Sequence, residues 1–194
     1  MRAVNRTAAA HNGSHGVSAA QDSGKVSPMA TRIFVRKDTF KFSCAHMTVF
    51  PDGSKERLHG HNYFVSVALD LADASLDQLI DFGSLKAAIA ALCGEWKERL
   101  LLAAHNPHFE LLRDSGNEIE FRLCGQRYVL PAADVLLLPT DNTTVERLAE
   151  CFCERLLAAA APGWPAGAVT AVEVTVTESP GQGATVRQSP IGAP

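Results

Sequence analysis

Two histidines one residue apart, His59 and His61 in "KERLHGHNYF", open an alternating run, and Glu56 stands three positions before the first of them. In an extended strand, residues two apart leave the same face separated by about 6–7 Å, so both imidazoles can converge on one ion. His46 ends the preceding run "FKFSCAH", and a hairpin closing around residues 47–58 would set it opposite the pair. Three imidazoles with a fourth position open form the donor set of catalytic zinc, which polarises oxygens and lowers the pKa of a bound hydroxyl, whereas structural zinc closes its shell. The competing reading is a solvated histidine pair at a strand start, with His46 unrelated to it. Cys44 shares a face with His46 and is either a further ligand or a small buried thiol.

Two carboxylates add to this set. Glu56 lies on the loop before the histidines, where a carboxylate beside a metal-activated hydroxyl serves as a general base; without a metal it is a solvated loop charge. Glu178 in "VEVTVTESP" falls where a strand runs out, within reach of a ring that presents adjacent N–H donors. A carboxylate accepting two such hydrogen bonds makes a specific anchor, and a surface acid at a strand end is the alternative.

Positioning these groups requires a sheet. "TRIFVRKDTFKFSCAHMTV" alternates as a strand, with Ile33 and Val35 on one face, then Phe40 and Phe42. "HNYFVSVALDL" sets Tyr63, Val65, Val67 and Leu69 against Phe64, Ser66 and Ala68, so the two segments should form an antiparallel hairpin. "DFGSLKAAIAALCGEWKERLL" spaces Leu85, Ile89, Leu92, Trp96 and Leu100 as a helical stripe, with Asp81 or Ser84 as its cap. "HFELLRDSGNEIEFRLCGQRYVLPAADVLLLP" reads as short strands in a meander. A second helix starts at "TTVERLAECFCERLLAA", where Thr143 and Glu146 stand in the capping-box relation and Leu148, Phe152 and Leu156 form the buried stripe. Cys151 and Cys153, two apart on that helix, point to different sides and do not share a metal. "AVTAVEVTVTESP" is the last strand, ending at Glu178. Helices interrupting strands without a βαβ alternation predict an α+β domain, an antiparallel sheet with two helices on one face and a small β insertion.

The chain of 194 residues suits one such domain, expected over 31–194. Its first thirty residues are rich in Ala, Ser and Gly without large apolar residues, and read as a disordered tail. Organelle targeting is a second reading of that tail, and Met29 an alternative start. The net charge of −3, from 18 basic and 21 acidic residues with no block of one sign, argues against nucleic acid or a membrane surface as partner. No apolar run reaches the ~18 residues of a membrane span. Five cysteines without a Cys-x-x-Cys fit reduced thiols and a cytoplasmic location. The sequons at Asn5, Asn12 and Asn142 carry no weight without a secretory route.

Together these residues resemble the 6-pyruvoyltetrahydropterin synthase family, across roughly Arg32 to Arg187: "FSCAH" with His46, "LHGHNY" with His59 and His61, "IDFGSLK" with Asp81, "NTTVE" with Thr144 and Glu146, and "VEVTVTESP" with Glu178. The resemblance implies the tunnelling fold, with subunits assembled into a homo-oligomeric ring, typically a hexamer. It implies Zn2+ on His46, His59 and His61, and a small pterin substrate held by Glu178 and Thr144. Ordinary members carry a catalytic cysteine before His-Gly-His, and the loop "FPDGSKERLHGH" has none. Glu56 stands where the class III branch has glutamate, and the insertion through "RYVLP" is similar to that branch as well. This implies a lyase converting 7,8-dihydroneopterin triphosphate to 6-hydroxymethyl-7,8-dihydropterin, a folate-type precursor. A base taking a proton from a side-chain hydroxyl acidified by zinc permits retro-aldol cleavage of the adjacent C–C bond. The alternatives are a 6-pyruvoyl- or 6-carboxy-tetrahydropterin synthase using the same site, or a non-catalytic pterin-binding subunit. The last is motivated by Lys97 and Glu98, which occupy the place of the family's Asp-His pair, leaving His105 or His108 as substitutes.

Overall fold

The structure is a computed structural model that describes residues 30–190. The expected tail lies outside them except for Ala30. Strands β1 (Thr31–His46) and β2 (His59–Leu71) form the expected antiparallel hairpin, with His46 opposite His59 and Cys44 opposite His61. Between Arg36 and Lys41, five steps along β1 match only two along β2. This irregularity moves the buried face from the odd positions to the even ones: Val35 is buried before it, and Phe40, Phe42, Cys44 and His46 after it. Without that shift, His46 would point away from His59 and His61.

Strand β3 (Leu100–Ala103), three short strands and β7 (Val135–Leu138) lie between the two helices, α1 (Phe82–Trp96) and α2 (Val145–Ala160). The strands β8 (Val169–Ser179) and β9 (Gln182–Gln188) complete a six-stranded sheet in the order β7-β3-β1-β2-β8-β9. Four of its strands pair antiparallel, while β3 and β7 add a parallel edge. Leu100 therefore does not extend the first helical stripe. The helix stops at Trp96, Glu98 takes a positive φ of 60°, and Leu100 opens a strand whose four residues are all buried. A short continuous apolar run has no period to separate a buried strand from a helix end. "DVLLLP" likewise leaves the meander and joins the main sheet through β7.

The meander proper is β4 (Phe109–Asp114), β5 (Glu118–Leu123) and β6 (Gln126–Pro131), a separate antiparallel sheet. Its Ile119, Phe121 and Leu123 pack with Met47 and Val49 of the loop after β1, and with Leu100, Leu102 and Val135. The main core lies between the large sheet and the two helices, which cover one face, with Phe42, Tyr63, Trp96 and Phe152 at its centre. No helix among the described residues is long and apolar enough to cross a membrane.

Two further expectations are corrected. The final strand runs to Ser179 rather than Glu178, and β9 returns beside it, joined through Gly181 at φ 80°. A Cβ at Gly183 would come 2.4 Å from the Val176 carbonyl oxygen, so only glycine lets β9 approach this closely. Its Ala184 and Val186 pack on the core, an alternation too weak to stand out beside Gly and Gln. Thr144, not Thr143, caps α2, its hydroxyl accepting the Arg147 N–H at 3.5 Å. Thr143 is buried, and its hydroxyl donates to the Met47 carbonyl at 3.3 Å, so it is not free to cap. Asp81 caps α1 as expected, accepting from Gly83 and Ser84 N–H.

Candidate metal centre

The hairpin register brings His46, His59 and His61 to one end of the sheet, each with a ring nitrogen within 4.8 Å of the others. Among the described residues this is the one group of three or more His, Cys, Asp or Glu side chains placed to hold a metal ion. Neither His105 nor His108 joins it, and neither does Cys44. Burial pushes the Cys44 thiol up to about 12, which leaves it protonated and a poor ligand at neutral pH.

Each ring has an acceptor or donor that sets which nitrogen is free. His46 is buried, and its Nδ1 lies 3.1 Å from the Thr143 carbonyl, so Nδ1 carries the proton and Nε2 the lone pair. The buried Tyr63 hydroxyl lies 3.2 Å from that Nε2, a contact that a metal on the same nitrogen would replace. His59 donates Nδ1–H to the Arg57 carbonyl at 2.8 Å and likewise leaves Nε2 free. His61 Nε2 lies 2.9 Å from Glu178 Oε1, an acceptor that draws its proton and leaves Nδ1. Burial, then repulsion from His59 and His61, lowers the pKa of His46 and keeps it neutral, the form that ligates. Three imidazoles gathered at one point, each with one nitrogen held by a protein partner that fixes its orientation, fit a divalent metal site.

The two carboxylates flank this group. Glu56 Oε2 accepts the Thr48 backbone N–H at 3.3 Å and lies 3.9 Å from His59 Nε2. Partial burial alone would raise its pKa, but the Thr48 hydrogen bonds, with attraction from His59 and His46, outweigh this and hold it below the ordinary carboxylate value. Glu56 is therefore ionised at neutral pH and able to accept a proton. Glu178 Oε1 faces His61, and Oε2 accepts from the Gln182 amide at 3.1 Å.

Lys97 and Glu98 sit at the corner between α1 and β3 and pair with each other at 3.1 Å. Glu98 lines an open cleft of about 530 Å³ together with Ser43, Gly60, His61 and Arg99. His108 packs its ring against Gly53 in the 47–58 loop, and His105 is exposed beyond β3. Thr144 lies at the start of α2, beside the Thr143 carbonyl that holds His46. Sequence reasoning missed Thr143, which supports the centre, and Tyr63, which lies against it. Tyr63 continues the same strand alternation as His59 and His61, a signal that was available. The Thr143 contact runs through a backbone carbonyl, which no residue type announces.

Gly60 separates the two histidines because nothing larger fits: a Cβ there would lie 2.5 Å from the Cys44 carbonyl oxygen across the hairpin. Gly60→Ala should push β1 and β2 apart between His46 and His61. We expect a stability loss of ~1–3 kcal/mol with weakened metal binding, measured by urea unfolding and chelator competition. Unchanged metal affinity would show that the hairpin spacing does not set the centre.

Known proteins are similar to this chain in sequence and fold. Residues 35–189 match the 6-pyruvoyl tetrahydropterin synthase family. Two archaeal proteins are both provisionally named 6-carboxy-5,6,7,8-tetrahydropterin synthase. The one from Methanocaldococcus jannaschii is 32% identical over 150 residues, covering 76% of this chain and 90% of its own. The one from Halobacterium salinarum is 29% identical over 147 residues, covering 75% and 81%. The crystal structure of 6-pyruvoyl tetrahydropterin synthase from Plasmodium vivax superposes with a TM-score of 0.74 at 27% identity, covering 83% of this chain and 99% of that one. Two further structures of the Plasmodium vivax enzyme carry Ala or Cys in place of a glutamate described as a catalytic residue. The expected tunnelling fold, two helices on a largely antiparallel sheet, is borne out by that superposition. The chain belongs to the 6-pyruvoyl tetrahydropterin synthase family.

Proposed function

We propose that this protein is a zinc-dependent lyase of the class III type, converting 7,8-dihydroneopterin triphosphate to 6-hydroxymethyl-7,8-dihydropterin. The observation that carries the reading is Glu56: an ionised carboxylate 3.9 Å from His59, on a loop without cysteine, in the position of a proton acceptor. The Plasmodium vivax enzyme, a neighbour of similar fold in which a glutamate is described as a catalytic residue, supports it.

His46, His59 and His61 would hold the zinc, which when bound supplies Lewis acidity toward the hydroxyls of the substrate side chain. Glu178 orients the pterin. With Oε1 on His61, its Oε2 is the oxygen that a ring N–H edge reaches, displacing the Gln182 amide. Thr144 lies at the same end of the sheet and contacts the substrate. Glu56 then takes the proton of a side-chain hydroxyl. That oxygen becomes a carbonyl as the adjacent C–C bond breaks, and the carbon remaining on the ring takes a proton. A homo-oligomeric ring, a hexamer as the family resemblance implies, is the assembly in which we expect the enzyme to work.

The archaeal relatives favour a second reading, a 6-carboxy-tetrahydropterin synthase at the same site. Incubating zinc-loaded protein with dihydroneopterin triphosphate and identifying products by mass spectrometry separates the two. The hydroxymethyl product is expected. A carboxy or pyruvoyl product establishes the second reading, and binding without turnover establishes a pterin-binding subunit.

A further inference from the structure

The metal ligand His46 and the base Glu56 lie ten residues apart in the chain, yet both connect to one side chain in the segment before α2. Glu56 is held by Thr48, whose N–H donates to the carboxylate at 3.3 Å and whose carbonyl accepts the Glu56 N–H at 2.9 Å. Val49 beside it makes a single antiparallel bridge to Lys55. On the opposite flank, Val49 meets the side chain of Asn142, from the segment between β7 and α2. The Asn142 amide donates Nδ2–H to the Val49 carbonyl at 2.8 Å, and its Oδ1 accepts the Val49 N–H at 3.1 Å. A side-chain amide thus occupies the place of a neighbouring strand.

The same segment holds His46. Asn142 Oδ1 also accepts the Thr143 N–H at 3.0 Å, orienting the residue whose carbonyl receives His46 Nδ1–H at 3.1 Å. Asn142 therefore touches neither ring nor carboxylate, but fixes the backbone from which each is aimed. We propose that Asn142 is a positioning residue that sets both the metal ligand His46 and the base Glu56, resting on the roles assigned to them above. Asparagine suits the task because it supplies one donor and one acceptor at this reach. Asp lacks the donor and turns a negative oxygen toward the Val49 carbonyl, and Ala leaves both Val49 groups without a partner.

The test uses the full chain with Asn142→Asp and Asn142→Ala, measuring zinc affinity by chelator competition, kcat and KM on dihydroneopterin triphosphate, and thermal unfolding. Both variants should bind zinc on the order of 10-fold more weakly and lose kcat on the order of 10-fold, the usual scale for supports behind metal ligands, with KM little changed. Variants that melt earlier yet bind zinc and turn over as the wild type does overturn the proposal, because a purely structural role moves only the melting temperature. Should Asn142→Ala not fold, Asn142→Asp decides. A wild type that binds zinc but turns over no pterin sinks the assigned reaction, and the zinc affinities alone then decide for or against Asn142.

Discussion

Glu56→Gln should lower turnover of dihydroneopterin triphosphate by ~10²–10⁴-fold, the range general-base catalysis contributes, while zinc content and pterin binding stay near wild type. Glutamine keeps the size of the side chain and an oxygen for the Thr48 N–H, which now anchors Glu56 at 3.3 Å. What it removes is the negative charge that accepts a proton. Zinc should be retained because the three imidazoles keep their own supports at Thr143, Arg57 and Glu178. Steady-state kinetics with product identification, alongside metal analysis of the same sample, reads both quantities. A variant with turnover within a few-fold of wild type would remove Glu56 from the chemistry and leave the proton acceptor to be found elsewhere.

Phe42→Ala should cost ~3–5 kcal/mol of stability, a large share of the roughly 5–15 kcal/mol that holds a typical domain folded. Phe42 is 1% exposed at the centre of the main core. Its ring stacks on Tyr63 at 5.2 Å between centroids, meets Trp96 edge-on at 5.2 Å, and lies parallel to Phe152 at 6.5 Å. These partners come from β2, α1 and α2, so the cavity left by alanine opens where all three elements meet and cannot close by moving one of them. Phe42 lies on the same strand as His46 and is paired and stacked with Tyr63, two residues beyond His61, so metal binding should weaken together with stability. Urea unfolding at fixed protein concentration reads the first effect and chelator competition the second. A loss below ~1 kcal/mol would mean that the core refills, against the packing seen here.

The helices and central strands were legible because each repeats a period over many residues. Tyr63, Val65, Val67 and Leu69 alternate, and all are buried; Leu148, Phe152 and Leu156 recur at helical spacing, and all are buried. Elements without a period were misread. Leu100 continued a helical spacing by coincidence, and β9 hid its alternation behind Gly183 and Gln182. Thr143 and Thr144 are adjacent and chemically alike, so the cap could be assigned only once the tertiary contact from Thr143 to Met47 was known.

By itself the sequence determined the donor set: which residues can bind a metal, which carboxylates stand near, and that His59 and His61 share a face, since strand alternation is a local property. Only the tertiary structure decided that His46 reaches them, because that depends on the irregularity between Arg36 and Lys41 which switches the buried face of β1. It also decided what aims the groups. The Thr143 carbonyl on His46 and the Asn142 amide on Val49 span 97 and 93 residues of chain. Each of these contacts runs from a side chain to a backbone group that every residue carries, so the order of side chains does not announce its partner, and it exists only once the sheet and α2 have packed.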